Sequence, residues 1–318
     1  MTETKEMPNF AGATVVVTGG AGFIGSHLVD GLLRAGAAEV RVLDNFETGH
    51  QKNLDHVRDR ITVTEGDIRD LAVCQRVLEG AAYVFHQAAL GSVPRSMAEP
   101  ARSIDVNVGG TANIFQAARD AAVRRVVFAS SSAVYGDDDR LPKREGQEGR
   151  PLSPYAVSKW MNEELADVYA RGYEMALVGL RYFNVYGPRQ DPNGPYAAVV
   201  PRFFDFASRG EDLTIYGDGE QSRDFTFVGD VVRANLLAAK SDLSGAWAFN
   251  IGAGGTTTVN DLANTINDVM GGRSKVVHLP ERKGDIKHSL ADTSRAREHF
   301  GYVATTVLAD GLAKTKPQ

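Results

Sequence analysis

Residues 13–36 read ATVVVTGGAGFIGSHLVDGLLRAG. A short β-branched run ends in glycine, and a stretch with Ile24, Leu28, Leu32 and Leu33 at helical spacing follows. Gly19, Gly22 and Gly25 therefore fall on a strand-to-helix turn, the context in which a glycine triplet gains meaning. Gly19 permits the tight turn, Gly22 lets backbone approach a pyrophosphate at the helix N-terminus, and Gly25 allows helix and strand to pack closely. Phe23 and Ile24 sit between them at the helix start.

Outward from this turn the same alternation repeats. VRVLDN (40–45), ITVTEGD (61–67), YVFHQAA (83–89) and RRVVFASSSAVYG (124–136) each hold a buried-type strand. Near-continuous apolar strands separated by helices indicate a parallel sheet covered on both faces. The expected fold is α/β, a Rossmann-like doubly wound parallel sheet over residues 1–185, with a smaller substrate-binding lobe over 186–318 from which some elements return to the core. Helices are expected at 199–210, 228–241 and 258–271, and strands within 175–188, at 212–217 and at 246–252.

The chain has 318 residues, a formal charge of −5 and one cysteine, Cys74. The acidic balance argues against a nucleic-acid or anionic-membrane partner, and no apolar run reaches spanning length. A single cysteine cannot form an intrachain disulfide or a thiolate cluster, so a cytoplasmic setting is expected. The histidines show no zinc spacing. His27 reads as a packing or surface residue, and His86 has no assigned role.

The strand ends carry the chemistry. Asp44 closes the second strand, where a ribose-binding acid is expected; it would repel a 2′-phosphate, which favours NAD over NADP. Asn45 follows it. Asp67, with Ile68, ends the third strand and either contacts adenine or caps the next helix. Gln87, Ala88 and Ala89 end the fourth. Ser131 and Ser132 close the fifth, as substrate-orienting hydroxyls or as helix caps. In SPYAVSK (153–159), Tyr155 and Lys159 lie one helical turn apart on one face. A free phenol near pKa 10 is a poor base, but a neighbouring ammonium and a positive nicotinamide ring would favour the phenolate. With a serine hydroxyl nearby, this suits proton removal from an alcohol during oxidation.

TGGAGFIGSHL, LDNFETG, GDIRD, HQAA, SSSAVYG, SPYAVSK, LRYFNVYGPRQ, YGDGEQSRDF and RKGDIKHSLAD occur in this order. The chain thereby resembles the extended short-chain dehydrogenase/reductases that act on nucleotide sugars. The resemblance implies Tyr155 as base, Lys159 as its partner and ribose contact, and Ser131 as the group bonding the sugar hydroxyl. It implies Asn107 near the cofactor, although that residue is equally readable as structural. It implies Asn184, Arg223 and Arg282 at the diphosphate, Tyr216 beside uracil, and Val199 and Asp285 in the substrate pocket. Dehydratases of the family place Asp–Glu after the Ser131 position and decarboxylases a glutamate at Ala133. Here Ser132 and Ala133 stand there, so a UDP-hexose 4-epimerase with tightly bound NAD, regenerated each cycle, is expected. Ser289, where a tyrosine can narrow the pocket in relatives, leaves room for an N-acetyl group, so UDP-GlcNAc/UDP-GalNAc and UDP-Glc/UDP-Gal are both expected substrates. Ser92 in GSVPRS (91–96) is a further substrate candidate. Arg95 beside it keeps a UDP-uronic acid 4-epimerase open. A non-enzymatic nucleotide-binding protein disagrees with intact Tyr155, Lys159 and Ser131. The resemblance also implies a homodimer through a four-helix bundle, and it makes the tail DGLAKTKPQ early-ending, since relatives often carry a further terminal helix.

Overall fold

The computed structural model describes residues 7–192, 198–281 and 287–317. From the N-terminus run β1 (Thr14–Thr18), α1 (Phe23–Arg34), β2 (Glu39–Asp44), β3 (Thr62–Glu65), α2 (Leu71–Leu78) and β4 (Tyr83–His86). Then come α3 (Val93–Ala98), α4 (Pro100–Ile104), a π turn at Asp105–Gly109, α5 (Gly110–Asp120), β5 (Arg125–Ser131), α6 (Pro154–Tyr173) and β6 (Leu177–Tyr182). The later elements are β7 (Val185–Tyr186), α7 (Val199–Ser208), β8 (Leu213–Tyr216), β9 (Ser222–Arg223), β10 (Thr226–Phe227), α8 (Val228–Ala239) and β11 (Ala246–Ile251). They end with β12 (Thr257–Thr258), α9 (Val259–Met270), β13 (Val276–Leu279), α10 (Ser294–Phe300) and α11 (Leu308–Thr315).

Seven strands form one parallel sheet in the order β3-β2-β1-β4-β5-β6-β11. The order reverses between β1 and β4, and ligands of such sheets bind outside the carboxyl ends of the strands at that crevice. Alternation along each strand divides the core. Val15, Val17, Phe85, Val127 and Leu180 join residues of α1 and α8 on one face. Val16, Val84, Val126 and Phe128 join α2, α5 and α6 on the other. Gly31 brings α1 against α8, since a β-carbon there would lie 2.6 Å from a Val232 methyl. In β6 every residue is buried, and Gly179 makes room for the Phe128 ring.

β3 departs from the buried strand expected from ITVTEGD. It is the sheet edge, paired only to β2, and Thr62, Val63 and Glu65 are exposed. A strand's valines alone do not say which position in the sheet it takes.

β11 comes from the second half of the chain but lies beside β6 in the main sheet. A separate apolar cluster, including Phe203, Phe204, Leu213, Ile215, Leu262, Ile266 and Leu312, joins α7, α9, α11 and β8 beyond the sheet. Among the described residues, no helix is long and apolar enough to cross a membrane.

Candidate active site

A cavity of about 710 Å³ opens over the carboxyl ends of β1, β2, β4 and β5. It is large enough for a dinucleotide-sized cofactor. Gly19, Gly22, Phe23, Ile24 and Gly25 line one end. Gly19 has φ of 67°, and a β-carbon on Gly25 would lie 2.0 Å from the Gly19 carbonyl oxygen. Only glycines let the turn fold onto the helix start in this way. No side chain caps α1 and no acid stands in its first turn, so its positive dipole end meets the cavity uncompensated. The residues present thus fit a pyrophosphate at this end.

Asp44 is buried at the end of β2, accepting from the amides of Ala21 and Phe46, both at 2.8 Å. Burial pushes its carboxyl upward, against those two hydrogen bonds. Each oxygen keeps a second lone pair for a ribose hydroxyl. Asp67 also lines the cavity. Its oxygens take the Arg69 guanidinium and the Asn45 amide, and chiefly the Arg69 bond holds it down at about 2. The capping alternative fails for Asp67, because α2 is capped by Asp70, which accepts from the Ala72 and Val73 amides. Ile68, Gln87, Ala88 and Ala89 line the same wall.

Asn107 does not. It is buried in the π turn, where it accepts from Leu90 N at 2.8 Å and donates to Leu90 O at 3.2 Å and Ser158 Oγ at 3.0 Å. The structural alternative describes its contacts: it fixes the loop leaving β4. His86 is likewise structural, buried between the hydroxyls of Thr18 and Thr111 at 2.6 and 2.9 Å and pushed down to about 3 by burial. His27 packs at half burial with its Nε2 2.9 Å from the Pro188 carbonyl.

At the centre of the cavity, α6 crosses the end of β5. Ser153 caps it, accepting from Ala156 N, and Pro154 occupies its first turn. Tyr155, Lys159, Ser131, Ser132 and Ala133 all line the cavity there. Lys159 is buried, and its Nζ donates to the Ala129 carbonyl at 2.8 Å and lies 5.9 Å from the Tyr155 ring centre. Ser131 accepts from Ala133 N at 3.1 Å, which is the capping role, while its hydroxyl lines the same cavity as Tyr155. The protein groups alone do not lower the phenol. Burial raises it, with the Ser131 hydroxyl opposing. Lys159 is itself lowered by burial to about 8, which weakens it as a source of positive charge for the phenolate.

The second group of predicted residues lies apart. Val199, Tyr216 and Arg223 line a smaller cavity of about 250 Å³ among α7, β8, β9 and α9. Asn184 lines both cavities and joins them. It has φ of 29°, an uncommon conformation that asparagine tolerates better than most residues. Ser289 lines the large cavity, whereas Arg282 and Asp285 lie outside the described residues. Ser92 lines the large cavity but caps α3, accepting from Arg95 N at 3.2 Å. Arg95 is committed to Glu47 at 2.6 Å. Glu47, Lys143, Tyr182 and Gln190 also line the large cavity and were not singled out. Of these, Glu47 carried a signal within LDNFETG, and Tyr182 and Gln190 within LRYFNVYGPRQ.

A family model described as "NAD dependent epimerase/dehydratase family" matches residues 15–252. The chain belongs to this family. Within it, the chain is 39% identical over 304 residues to a UDP-glucose 4-epimerase of Mycolicibacterium smegmatis, covering 94% of this chain and 96% of the relative. A UDP-N-acetylglucosamine 4-epimerase from Methanobrevibacter ruminantium, solved in complex with UDP-N-acetylmuramic acid, superposes with a TM-score of 0.91 at 41% identity, covering 97% of each chain. The UDP-glucose 4-epimerase of Thermus thermophilus, solved with NAD, gives 0.85 at 37% identity over 95% of this chain and 97% of its own.

The low Lys159 value has a measurable consequence. In the NAD-free protein, the folded state resists charging this lysine, so the penalty is full below pH 8 and is relieved as pH rises from about 8 to the ordinary 10.5. The Lys159→Met variant removes it. Its stability gain over the parent, read from urea melts, is expected to be about 3 kcal/mol at pH 7 and to shrink towards zero by pH 10.5. A gain that does not change with pH would contradict the burial argument.

Proposed function

We propose that the protein is an NAD-containing UDP-hexose 4-epimerase that interconverts UDP-GlcNAc and UDP-GalNAc and also admits UDP-Glc and UDP-Gal. The observation that carries the reading is the juxtaposition of Tyr155, Ser131 and Lys159 in a cavity where Ser132 and Ala133 follow. These two positions offer hydroxyl and methyl groups, and neither has a pKa near neutrality suited to shuttling the proton that elimination of water requires. Reversible oxidation at one carbon needs only a base, an orienting hydroxyl and the cofactor.

In this reading Gly19, Gly22, Phe23, Ile24, Gly25, Asp44, Asn45, Asp67, Ile68, Gln87, Ala88 and Ala89 hold NAD, with Lys159 at its nicotinamide ribose. When bound, NAD supplies reversible two-electron oxidation at sugar C4. Tyr155 Oη takes the proton of the C4 hydroxyl as the carbonyl forms and returns it as the opposite face is reduced. Ser131 Oγ, lining the same cavity as Tyr155, orients the C4 oxygen towards it. Since burial raises the phenol, Lys159 must remain an ammonium for Tyr155 to act at neutral pH. Asn184, Arg223 and Tyr216 receive the UDP moiety in the smaller cavity, with Val199 beside them, and the sugar turns over at Asn184, where the two cavities meet. Residues 1–185 then act as the cofactor-binding part and 186–318 mainly as the substrate lobe. Arg95, the residue that kept a uronic-acid reading open, pairs with Glu47, which favours a neutral hexose.

Purified protein given UDP-GlcNAc without added cofactor is expected to form the galacto product and to release NAD on denaturation. Tyr155→Phe should lower kcat at least about a thousandfold, the upper part of the range for losing a general base, while retaining NAD. Loss of water or carbon dioxide from the substrate would overturn the reading.

Ser289 shares the large cavity with Ser131 and Ser132. Ser289→Tyr should lower kcat/KM for UDP-GlcNAc by about tenfold or more relative to UDP-Glc. An unchanged preference would remove Ser289 from the pocket argument.

We further infer a homodimer through a four-helix bundle. Trp160, Met161 and Val168 on α6 are exposed apolar side chains, and α6 packs beside the continuous α4–α5 segment. Light scattering should give twice the 34.3 kDa chain mass; a monomer mass would reject the bundle.

A further inference from the structure

One turn beyond Lys159, Glu163 points from α6 back to the sheet. Arg181 of β6 forks onto it, with Nε at 2.9 Å from one oxygen and a terminal nitrogen at 2.6 Å from the other. Ser130 of β5 donates its hydroxyl to the same carboxylate. Arg181 also contacts Glu148 and donates to the Tyr135 hydroxyl at 3.0 Å. Tyr135 in turn donates to Asn250 at 2.7 Å. The Arg181 and Glu163 side chains are 5% and 9% exposed, so these charges interact through little water.

The charges can be counted. Arg181 carries one positive charge against the two negative charges of Glu163 and Glu148, leaving the cluster one unit negative. Lys159, one helical turn before Glu163 on α6, carries a charge of the opposite sign. Its protein hydrogen-bond partner is the neutral Ala129 carbonyl.

We propose that Glu163 is a positioning residue for Lys159: fixed by the Arg181 fork and the Ser130 hydroxyl, its carboxylate supplies the counter-charge that keeps the buried ammonium charged beside Tyr155. The inference rests on the reading that Lys159 assists Tyr155. Other groups facing Lys159 do not replace Glu163. His86 on β4 is neutral near pH 7, and Tyr155 and Tyr182 are phenols raised by burial. Tyr135 is likewise raised, and Glu145, raised by burial, is engaged by the Asn250 amide at 2.7 Å. Of the charged neighbours, Glu163 is the one that favours the Lys159 cation. Ser130 also adjoins Ser131, so the same carboxylate pins the end of β5 next to the Ser131 hydroxyl that shares the cavity with Tyr155.

The test titrates the side-chain ε-carbon of Lys159 by NMR in NAD-free protein, the signal being assigned by its loss in Lys159→Met. Glu163→Gln keeps a group able to accept from Ser130 but removes the charge. It should move the titration midpoint at least about one pH unit lower, and the alkaline limb of the kcat profile should follow it. At pH 8, kcat should fall about fivefold for a one-unit shift while KM for the UDP-sugar stays within about twofold. Glu148→Gln, at the less buried carboxylate, should shift the midpoint in the same direction by less, and it decides the matter if Glu163→Gln does not fold. An unmoved midpoint in the folded variants would overturn the proposal, even if kcat fell evenly at every pH. Lys159→Met tests the underlying reading separately: full activity in that variant refutes a role for Lys159, whereas its inactivity beside an unmoved Glu163→Gln midpoint refutes only the counter-charge.

Discussion

A buried ammonium on a strand carbonyl, Lys159 on Ala129, determines how α6 meets the parallel sheet. The contact fixes the helix across the end of β5, and therefore the distance between a residue one turn earlier, Tyr155, and one two positions further along the strand, Ser131. An exposed lysine would leave that relation to mobile side chains. Burial makes it specific at an electrostatic cost, because removing an ammonium from water disfavours its charged form. Glu163, one turn further along α6 and held in place by Arg181, is the counter-charge proposed to offset that cost.

The sheet supplies the complementary constraint. Its order reverses between β1 and β4, so the glycine turn and the loop after β4 leave in opposite directions and open a crevice between them. Gly19 and Gly25 close the floor by approaching within a distance that any side chain would occupy. Asp44 bonds Ala21 and Phe46, tying that floor to the end of β2. The smaller cavity is built on a different apolar cluster and meets the first at Asn184, in an uncommon backbone conformation of the kind that collects where ligands are held.

Much of this was legible in the sequence because it is local. The TGGAGFIG turn, the helical spacing of Tyr155 and Lys159, and the apolar strands all declare themselves within a few residues. What was not legible depends on partners distant in sequence. Nothing in GSVPRS says that Arg95 is taken by Glu47, 48 positions earlier, or that Ser92 is spent on capping α3. Asn107 could be matched to a motif, but its three bonds to Leu90 and Ser158 require the fold. The third strand's edge position follows from sheet order, which the valines of ITVTEGD do not encode. The raised phenol of Tyr155 reflects burial, a property of the assembled cavity rather than of the SPYAVSK spacing.

Asn107 also bears on how this chain can vary in length. Its side chain keys the loop after β4 and the start of α6 to a single point on the α4–α5 segment, inside a π turn. A π turn holds one more residue than regular helix, and each helical residue advances the chain by about 100°. Deleting Val106 to regularise the segment would turn α4 by about that angle relative to Asn107 and α5. Either the face of α4 that packs on α6 or the amide that holds Leu90 would then point elsewhere. The extra residue sets the angular register among three segments of the chain, so this helix is intolerant of single-residue deletion although no residue in the turn other than Val106 lines the large cavity.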